Sequence, residues 1–169
     1  DDLAATPVTQ AGSGGPAQVV PEGALTYFQG VNPVGQWKLQ VGDNTPGGNA
    51  GTLHSWTLEL TVLDAQPPPR VGPSTFAASP NLQIPNDATH PLSVPVIAGG
   101  MGQCLAEARV FAKIQHTAPG ELEIGVMSPI GYIPLSLHNG GSADDVFANT
   151  TWSDGARNGL NDRPTTDAI

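Results

Sequence analysis

The feature that most constrains the fold of this chain is an alternation of apolar and polar side chains in four segments. These segments are residues 37–41, 56–62, 110–114 and 122–126. A period of two places the apolar side chains of each segment on one face of a β-sheet. No segment carries a convincing helical stripe, so we expect strands and negligible helix. The positions predicted to form the core are Trp37, Leu39, Trp56, Leu58, Val110, Ile114, Leu122 and Ile124.

Turn-forming residues separate the alternating segments. The chain has 21 glycines and 17 prolines among its 169 residues, and turn clusters fall at residues 42–44, 46–49, 118–120 and 138–141. Glycine and asparagine tolerate the backbone angles of tight turns, and proline presets one of them. Short strands joined by such turns are typical of two sheets packed face to face. The sequence therefore predicts an all-β fold, an antiparallel β-sandwich.

The charge of the chain excludes some classes of partner. Six lysines and arginines stand against 15 aspartates and glutamates, so the net charge is −9. Binding to nucleic acid needs clustered positive charge, as does binding to an anionic membrane surface. No apolar run approaches the roughly 20 residues of a membrane span. We therefore expect no nucleic-acid partner and no insertion into a membrane.

No pattern in the sequence predicts a catalytic residue. His54, His90, His116 and His138 are scattered and form no pair with metal-ligand spacing. A Gly-x-Ser-x-Gly motif, which presents a nucleophilic serine in many hydrolases, is absent from the sequence. His116 precedes the Ala-Pro-Gly turn at residues 118–120, and we expect it to hydrogen-bond to that turn. The three tryptophans are predicted to be core anchors rather than a sugar-binding platform.

Two isolated positions carry chemistry of their own. Cys104 is the only cysteine, so the chain can form no internal disulfide. We expect its side chain to be small, apolar and buried, with an intermolecular disulfide or a reactive thiol as the alternatives. Asn149 begins an Asn-Thr-Thr sequence that matches the N-glycosylation acceptor pattern, which is short and weak by itself.

Carboxylates gather in regions rich in glycine and asparagine near the two ends of the sequence. Calcium takes six to eight oxygen ligands from carboxylates, amides and backbone carbonyls, and such loops supply them. No EF-hand spacing is present, so the signal is compositional, and a solvated acidic loop is the alternative reading. We expect calcium as the cofactor, with the candidate ligands Asp144, Asp145, Asp154, Asp162, Asp1 and Asp2.

Two longer runs resemble parts of one known domain. Residues 25–62 contain Leu-Thr-Tyr-Phe-Gln-Gly, Gly-Gln-Trp-Lys-Leu-Gln-Val-Gly-Asp and Gly-Thr-Leu-His-Ser-Trp-Thr-Leu-Glu-Leu. This run resembles the closing half of the P domain, or homo B, of subtilisin-like proprotein convertases. Residues 81–139 contain Ala-Arg-Val-Phe-Ala-Lys-Ile, His-Thr, Gly-Glu-Leu-Glu-Ile-Gly-Val and Ser-Pro-Ile-Gly, and resemble its opening half. The resemblance covers residues 22–63 and 81–154, with the two halves in inverted order.

The resemblance implies a jelly-roll sandwich without catalytic activity, in an extracellular or cell-surface protein. It divides the chain into a closing half at 1–63, a proline-rich linker at 64–80 and an opening half at 81–169. The three consecutive prolines of the linker favour an extended spacer. A long surface loop inside one sandwich is the alternative reading of the same segment.

The inverted order leaves three explanations open. The chain is one repeat of a tandem array, a segment completed by neighbouring copies, or a circular permutant that folds alone. The first two predict a structural module repeated in tandem or assembled head-to-tail into a filament, whose partners are copies of itself. The competing prediction is an accessory P domain that stabilises a secreted subtilisin-like protease. A sugar-binding module is a distant third.

Overall fold

A computed structural model describes residues 17–45, 47, 48, 50–63, 70–87, 89–142 and 144–155 of the chain. These residues form ten strands in two sheets that share one apolar core. The strands are β1 (Ala17–Val19), β2 (Gly35–Asp43), β3 (Gly51–Leu63), β4 (Arg70–Ala78), β5 (Leu82–Ile84), β6 (Leu92–Ala98), β7 (Cys104–Gln115), β8 (Leu122–Ser128), β9 (Gly131–Leu137) and β10 (Thr150–Trp152).

The helices of the described residues are two short 3₁₀ helices, Leu25–Phe28 and Pro119–Glu121. No described helix is long and apolar enough to cross a membrane. The expectation of negligible helix is therefore confirmed for the described part of the chain.

The first sheet has the order β1, β10, β7, β3, β4, and the short β5 pairs with the start of β3. Its neighbours are antiparallel except for β1 and β10, which run parallel. The second sheet has the order β6, β2, β8, β9 and is antiparallel throughout. The predicted all-β sandwich is confirmed, and its jelly-roll connectivity stays a prediction.

The predicted core positions line the interior between the sheets. All eight are at most 1% exposed. Trp152 is also fully buried and stacks against Phe147 with ring centroids 5.8 Å apart. Phe28, from the first 3₁₀ helix, contacts Trp37 edge to face at 5.1 Å. The tryptophans are therefore core anchors, as predicted.

Part of the segment predicted as a linker is a strand. Residues 70–78 form β4, which pairs with β3 from Leu63↔Arg70 to Trp56↔Ala78. β4 lies at the edge of its sheet, where a proline such as Pro73 is tolerated because its missing N–H is not needed there. The consecutive prolines at 67–69 lie outside the described residues.

The prediction that Cys104 is buried is wrong. Cys104 is the first residue of β7 and is partly exposed. Its cross-strand neighbour Leu63 is 41% exposed, whereas the next pair, Val62 and Leu105, is buried in the core. Cys104 and Leu63 therefore lie on the outer face of the sheet.

The free edge of β9 is covered by the chain that precedes the first 3₁₀ helix. The N–H of Gly23 donates to the carbonyl of Pro134 at 2.8 Å, and the N–H of Glu22 donates to that of Leu135 at 3.3 Å. The Glu22 carboxylate also accepts from the N–H of Leu137 at 2.9 Å and from the amide of Asn139. These contacts occupy backbone groups that an edge strand otherwise exposes to association.

Candidate functional site

Asp154, a predicted calcium ligand, accepts hydrogen bonds from two backbone N–H groups. Its Oδ1 accepts the N–H of Leu25 at 2.9 Å, and its Oδ2 accepts the N–H of Thr26. These amides open the 3₁₀ helix Leu25–Phe28, which has no side-chain cap from Ala24. The carboxylate therefore occupies the place of a helix cap.

Asp145 is also engaged with backbone. Its Oδ1 accepts the N–H of His116 at 3.0 Å, and its own N–H donates to the carbonyl of His116 at 3.1 Å. Its positive φ of 54° is a conformation that aspartate adopts more readily than most residues. Asp145 thereby fastens the loop after β9 to the end of β7. Its neighbour Asp144 is exposed.

The described aspartates of the predicted calcium site are not gathered into one three-residue ligand group. Asp1, Asp2 and Asp162 lie outside the described residues. Within the described part of the chain, the group of three whose ligand atoms lie mutually within 4.8 Å is Asp43, His116 and Glu121. Calcium binding by the acidic loops stays a prediction.

Asp43, His116 and Glu121 come together at the ends of two strands and of the second 3₁₀ helix. Asp43 is the last residue of β2, His116 follows β7, and Glu121 ends the second 3₁₀ helix. Asp43 pairs with Leu122 in the β2–β8 register, so Glu121 is placed beside it. Gly51 allows this packing, because a Cβ there would lie 2.4 Å from the His116 ring. Asp43 is 0% and His116 3% exposed.

The hydrogen bonds of His116 fix the position of its proton. Nδ1 accepts the backbone N–H of Ala118 at 3.0 Å, which confirms the predicted contact with the following turn. An acceptor nitrogen carries no proton, so the ring proton lies on Nε2. Nε2 donates to Oδ2 of Asp43 at 3.2 Å, while Oδ1 of Asp43 accepts the N–H of Thr45 at 3.0 Å. His116 is therefore a neutral hydrogen-bonding residue in this arrangement.

Two buried side-chain oxygen atoms in the described part of the chain have no hydrogen-bond partner there. They are Oε2 of Glu121 and Oδ1 of Asn86. Both side chains lie against Gly48: the Asn86 amide nitrogen donates to the Gly48 carbonyl at 2.9 Å, and a Cβ at Gly48 would lie 3.1 Å from Oε2. We call Asp43, His116 and Glu121 the polar cluster, together with Asn86, which is linked to Glu121 through Gly48.

A second group, on the surface, resembles a catalytic triad only in composition. The Thr89 hydroxyl lies 2.8 Å from Nδ1 of His90, and Oδ2 of Asp87 lies 2.6 Å from the same nitrogen. A triad needs its nucleophile and its carboxylate on opposite ring nitrogens. This geometry cannot relay a proton from threonine to aspartate. Its effect is on Asp87, whose pKa falls to about 2, first through the Thr89 hydroxyl and N–H.

The sequence indicated the role of His116 but did not place Asp43 and Glu121 beside it, nor Asn86 against Gly48. Asp43 and Glu121 both lie in the runs that resemble the P domain. Asp43 and Glu121 are brought together by the register of β2 with β8. This register cannot be predicted from a local sequence pattern.

Comparison with known proteins bears on one segment of the chain. No curated protein and no solved structure matches the chain. The segment that does match a family includes β1, the first 3₁₀ helix, β2 and most of β3. The resemblance of residues 81–154 to the opening half stays a prediction. Residues 15–60 match the family model of the proprotein convertase P-domain, which confirms the resemblance for that part of the chain.

Proposed function

We propose that this chain is a non-catalytic structural β-sandwich module of an extracellular or cell-surface protein. Its copies are repeated in tandem or assembled head-to-tail into a filament. The observation that carries the proposal of a structural module is that β2 and β3 pair with β6, β7 and β8 of the same chain. One copy thus contains both faces of its own core, as an independent module requires. The assembly of copies is supported instead by the inverted order of the two runs that resemble the P domain.

The pairing of β3 decides how copies can meet. β4 and β5 both pair with β3, and residues 79–81 alone separate them in the chain. An exchange of strands between copies at residues 64–80 would break both pairings. The proposal therefore treats each copy as closed and places the contacts between copies at their surfaces or at covalent junctions.

The absence of catalysis is supported by the P-domain match, since that domain is an accessory, non-catalytic part of proprotein convertases. The buried His116–Asp43 pair agrees with this reading, because both ring nitrogens are used for structural hydrogen bonds. The extracellular location is supported by the occurrence of P domains in secreted proteins.

The assembly is tested with the single chain and with a covalent fusion of two copies. Light scattering over a wide concentration range gives the mass of the single chain, and electron microscopy shows whether fibres form. We expect end-to-end association, or a fusion that unfolds at a higher temperature than one copy. A monomer at every concentration, together with a fusion that melts like one copy, would contradict both forms of assembly.

The alternative, an accessory P domain for a secreted subtilisin-like protease, is favoured by one surface. Tyr27, Val34 and Ile130 are 60%, 43% and 46% exposed. The Tyr27 ring lies 3.3 Å from a Cβ position at Gly131, so it rests on the β8–β9 turn. Exposed apolar clusters of this kind mark contact surfaces.

This alternative is tested by the sequence that flanks the chain in its natural protein. An upstream domain with an Asp/His/Ser catalytic set favours the protease accessory, while further P-type repeats favour the array. If a protease domain is present, Tyr27→Ser should lower its thermal stability in the two-domain protein. Lys113→Ser, an exposed change on β7 of the other sheet, serves as the control.

A further inference from the structure

The polar cluster contains two carboxylates whose negative charge is not neutralised by its other residues. The ligand atoms of Asp43, His116 and Glu121 lie within 4.8 Å of one another. Among the described residues, neither carboxylate forms an ion pair with lysine or arginine. His116 is neutral, because Nδ1 accepts the N–H of Ala118. Asp43 is buried and Glu121 is partly buried, and two carboxylates this close repel each other unless a proton or a cation lies between them.

The unpartnered oxygens favour the cation. Oε2 of Glu121 and Oδ1 of Asn86 are buried without a described hydrogen-bond partner, and both side chains lie against Gly48. A shared proton would satisfy one carboxylate oxygen and leave the Asn86 oxygen, which can only accept, without a donor. A cation bound by both oxygens would satisfy each of them, and Asp43 lies close enough to Glu121 to serve as a further ligand.

We infer that Asp43, Glu121 and Asn86 form a binding site for a hard divalent cation, with Ca²⁺ as the best match. The three side chains offer oxygen ligands, which calcium prefers, and water completes its coordination. His116 is a positioning residue: its Nε2–H holds Oδ2 of Asp43 at 3.2 Å. The same proton disfavours Zn²⁺, which needs a bare imidazole nitrogen as its ligand. This site is distinct from the acidic loops.

The experiment starts from full-length protein freed of metal by chelation. Isothermal titration with CaCl₂ measures binding directly, and thermal unfolding with and without Ca²⁺ measures its linkage to folding. We expect one strong calcium site and an increase in melting temperature that saturates with Ca²⁺. ZnCl₂, titrated in parallel, should give weaker binding.

Two variants and one control locate the site. Glu121→Gln and Asn86→Ala should each weaken Ca²⁺ binding by at least about tenfold. Glu107→Gln, which changes a half-exposed carboxylate that pairs with Arg109 on β7, should leave the affinity unchanged. Without metal, Glu121→Gln should melt at or above the wild-type temperature, because it removes one of two neighbouring negative charges.

Several results would overturn the inference. One is wild-type protein that neither binds Ca²⁺ nor gains melting temperature from it. A second is binding that survives both Glu121→Gln and Asn86→Ala, or that Glu107→Gln abolishes. The third is tighter binding of Zn²⁺ than of Ca²⁺, with loss of Zn²⁺ binding in His116→Asn. The titration of the wild-type protein with CaCl₂ tests the inference even if a variant fails to fold.

Discussion

Asp154 accepts a hydrogen bond from the backbone N–H of Leu25, which lies 129 positions earlier in the chain, at 2.9 Å. It also accepts the next amide, that of Thr26. One carboxylate therefore starts the first 3₁₀ helix and ties the end of β10 to the segment before β2.

Replacing this carboxylate should cost stability. Asp154→Ala removes a cap from a helix that has no other side-chain cap, so the free energy of unfolding should fall by about 1 to 2 kcal/mol. Asp144→Ala, at an exposed position, should change it by less than about 0.5 kcal/mol. Urea unfolding measures both, and the difference should persist in EDTA because it arises from hydrogen bonds. Equal effects of the two substitutions would contradict the capping role.

Gly125 and Tyr132 form a cross-strand contact that a methyl group would disrupt. A Cβ at Gly125 would lie 2.1 Å from the Tyr132 hydroxyl oxygen. Gly125→Ala should therefore destabilise the protein by about 1 to 3 kcal/mol through overpacking. In a Tyr132→Ala background, Gly125→Ala should lower the free energy of unfolding only slightly. A double-mutant cycle by chemical denaturation measures this coupling, and strictly additive effects would show that the ring does not cover the glycine.

Asp43→Asn should be costly because both carboxylate oxygens are acceptors. One accepts the N–H of Thr45 and the other faces Nε2–H of His116. The amide of asparagine replaces one of these acceptors with a donor, which then faces another donor. We expect the free energy of unfolding to fall by about 2 to 3 kcal/mol. Asp144→Asn is the matched control in the same denaturation experiment. A loss no larger than the control's would mean that His116 does not depend on Asp43.

The pKa of Asp87 should rise when its strongest hydrogen-bond donor is removed. The Thr89 hydroxyl and N–H, then His90, lower this pKa from 3.8 to about 2. Because the folded pKa lies below the unfolded one, the contribution to stability is present above pH 3.8 and is lost as the pH falls toward 2. Thr89→Ala should move the pKa toward 3.8, and by more than His90→Ala does. Carboxyl-detected NMR titration measures both shifts, and the reverse order would refute this assignment.

Strands with uninterrupted alternation could be predicted from the sequence, and strands containing proline could not. β2, β3, β7 and β8 include the four alternating segments. β6 and β9 lack a clear alternation, because Pro95 and Pro134 interrupt them and apolar residues such as Ile97 face outward. Both are edge strands, where proline is tolerated because an N–H on the open side is not needed.

The candidate site was only partly predictable for a different reason. The contact of His116 with the following turn is local, so residue order indicates it. The approach of Asp43, Asn86 and Glu121 depends on the long-range register of β2 with β8 and on the loop after β5. Carboxylate density in the sequence instead indicated the acidic loops, whose described members Asp145 and Asp154 bind backbone amides.

The position of β2 between β6 and β8 has a consequence for biosynthesis. A ribosome makes the chain from its N-terminus, so β2 emerges before either neighbour exists. Until β8 is complete at Ser128, Trp37 and Leu39 have no finished sheet in which to bury themselves. Nascent chains of intermediate length therefore display an unpaired apolar strand, the kind of surface that chaperones bind and that promotes aggregation. Folding of this sandwich must therefore wait until β8 has been synthesised.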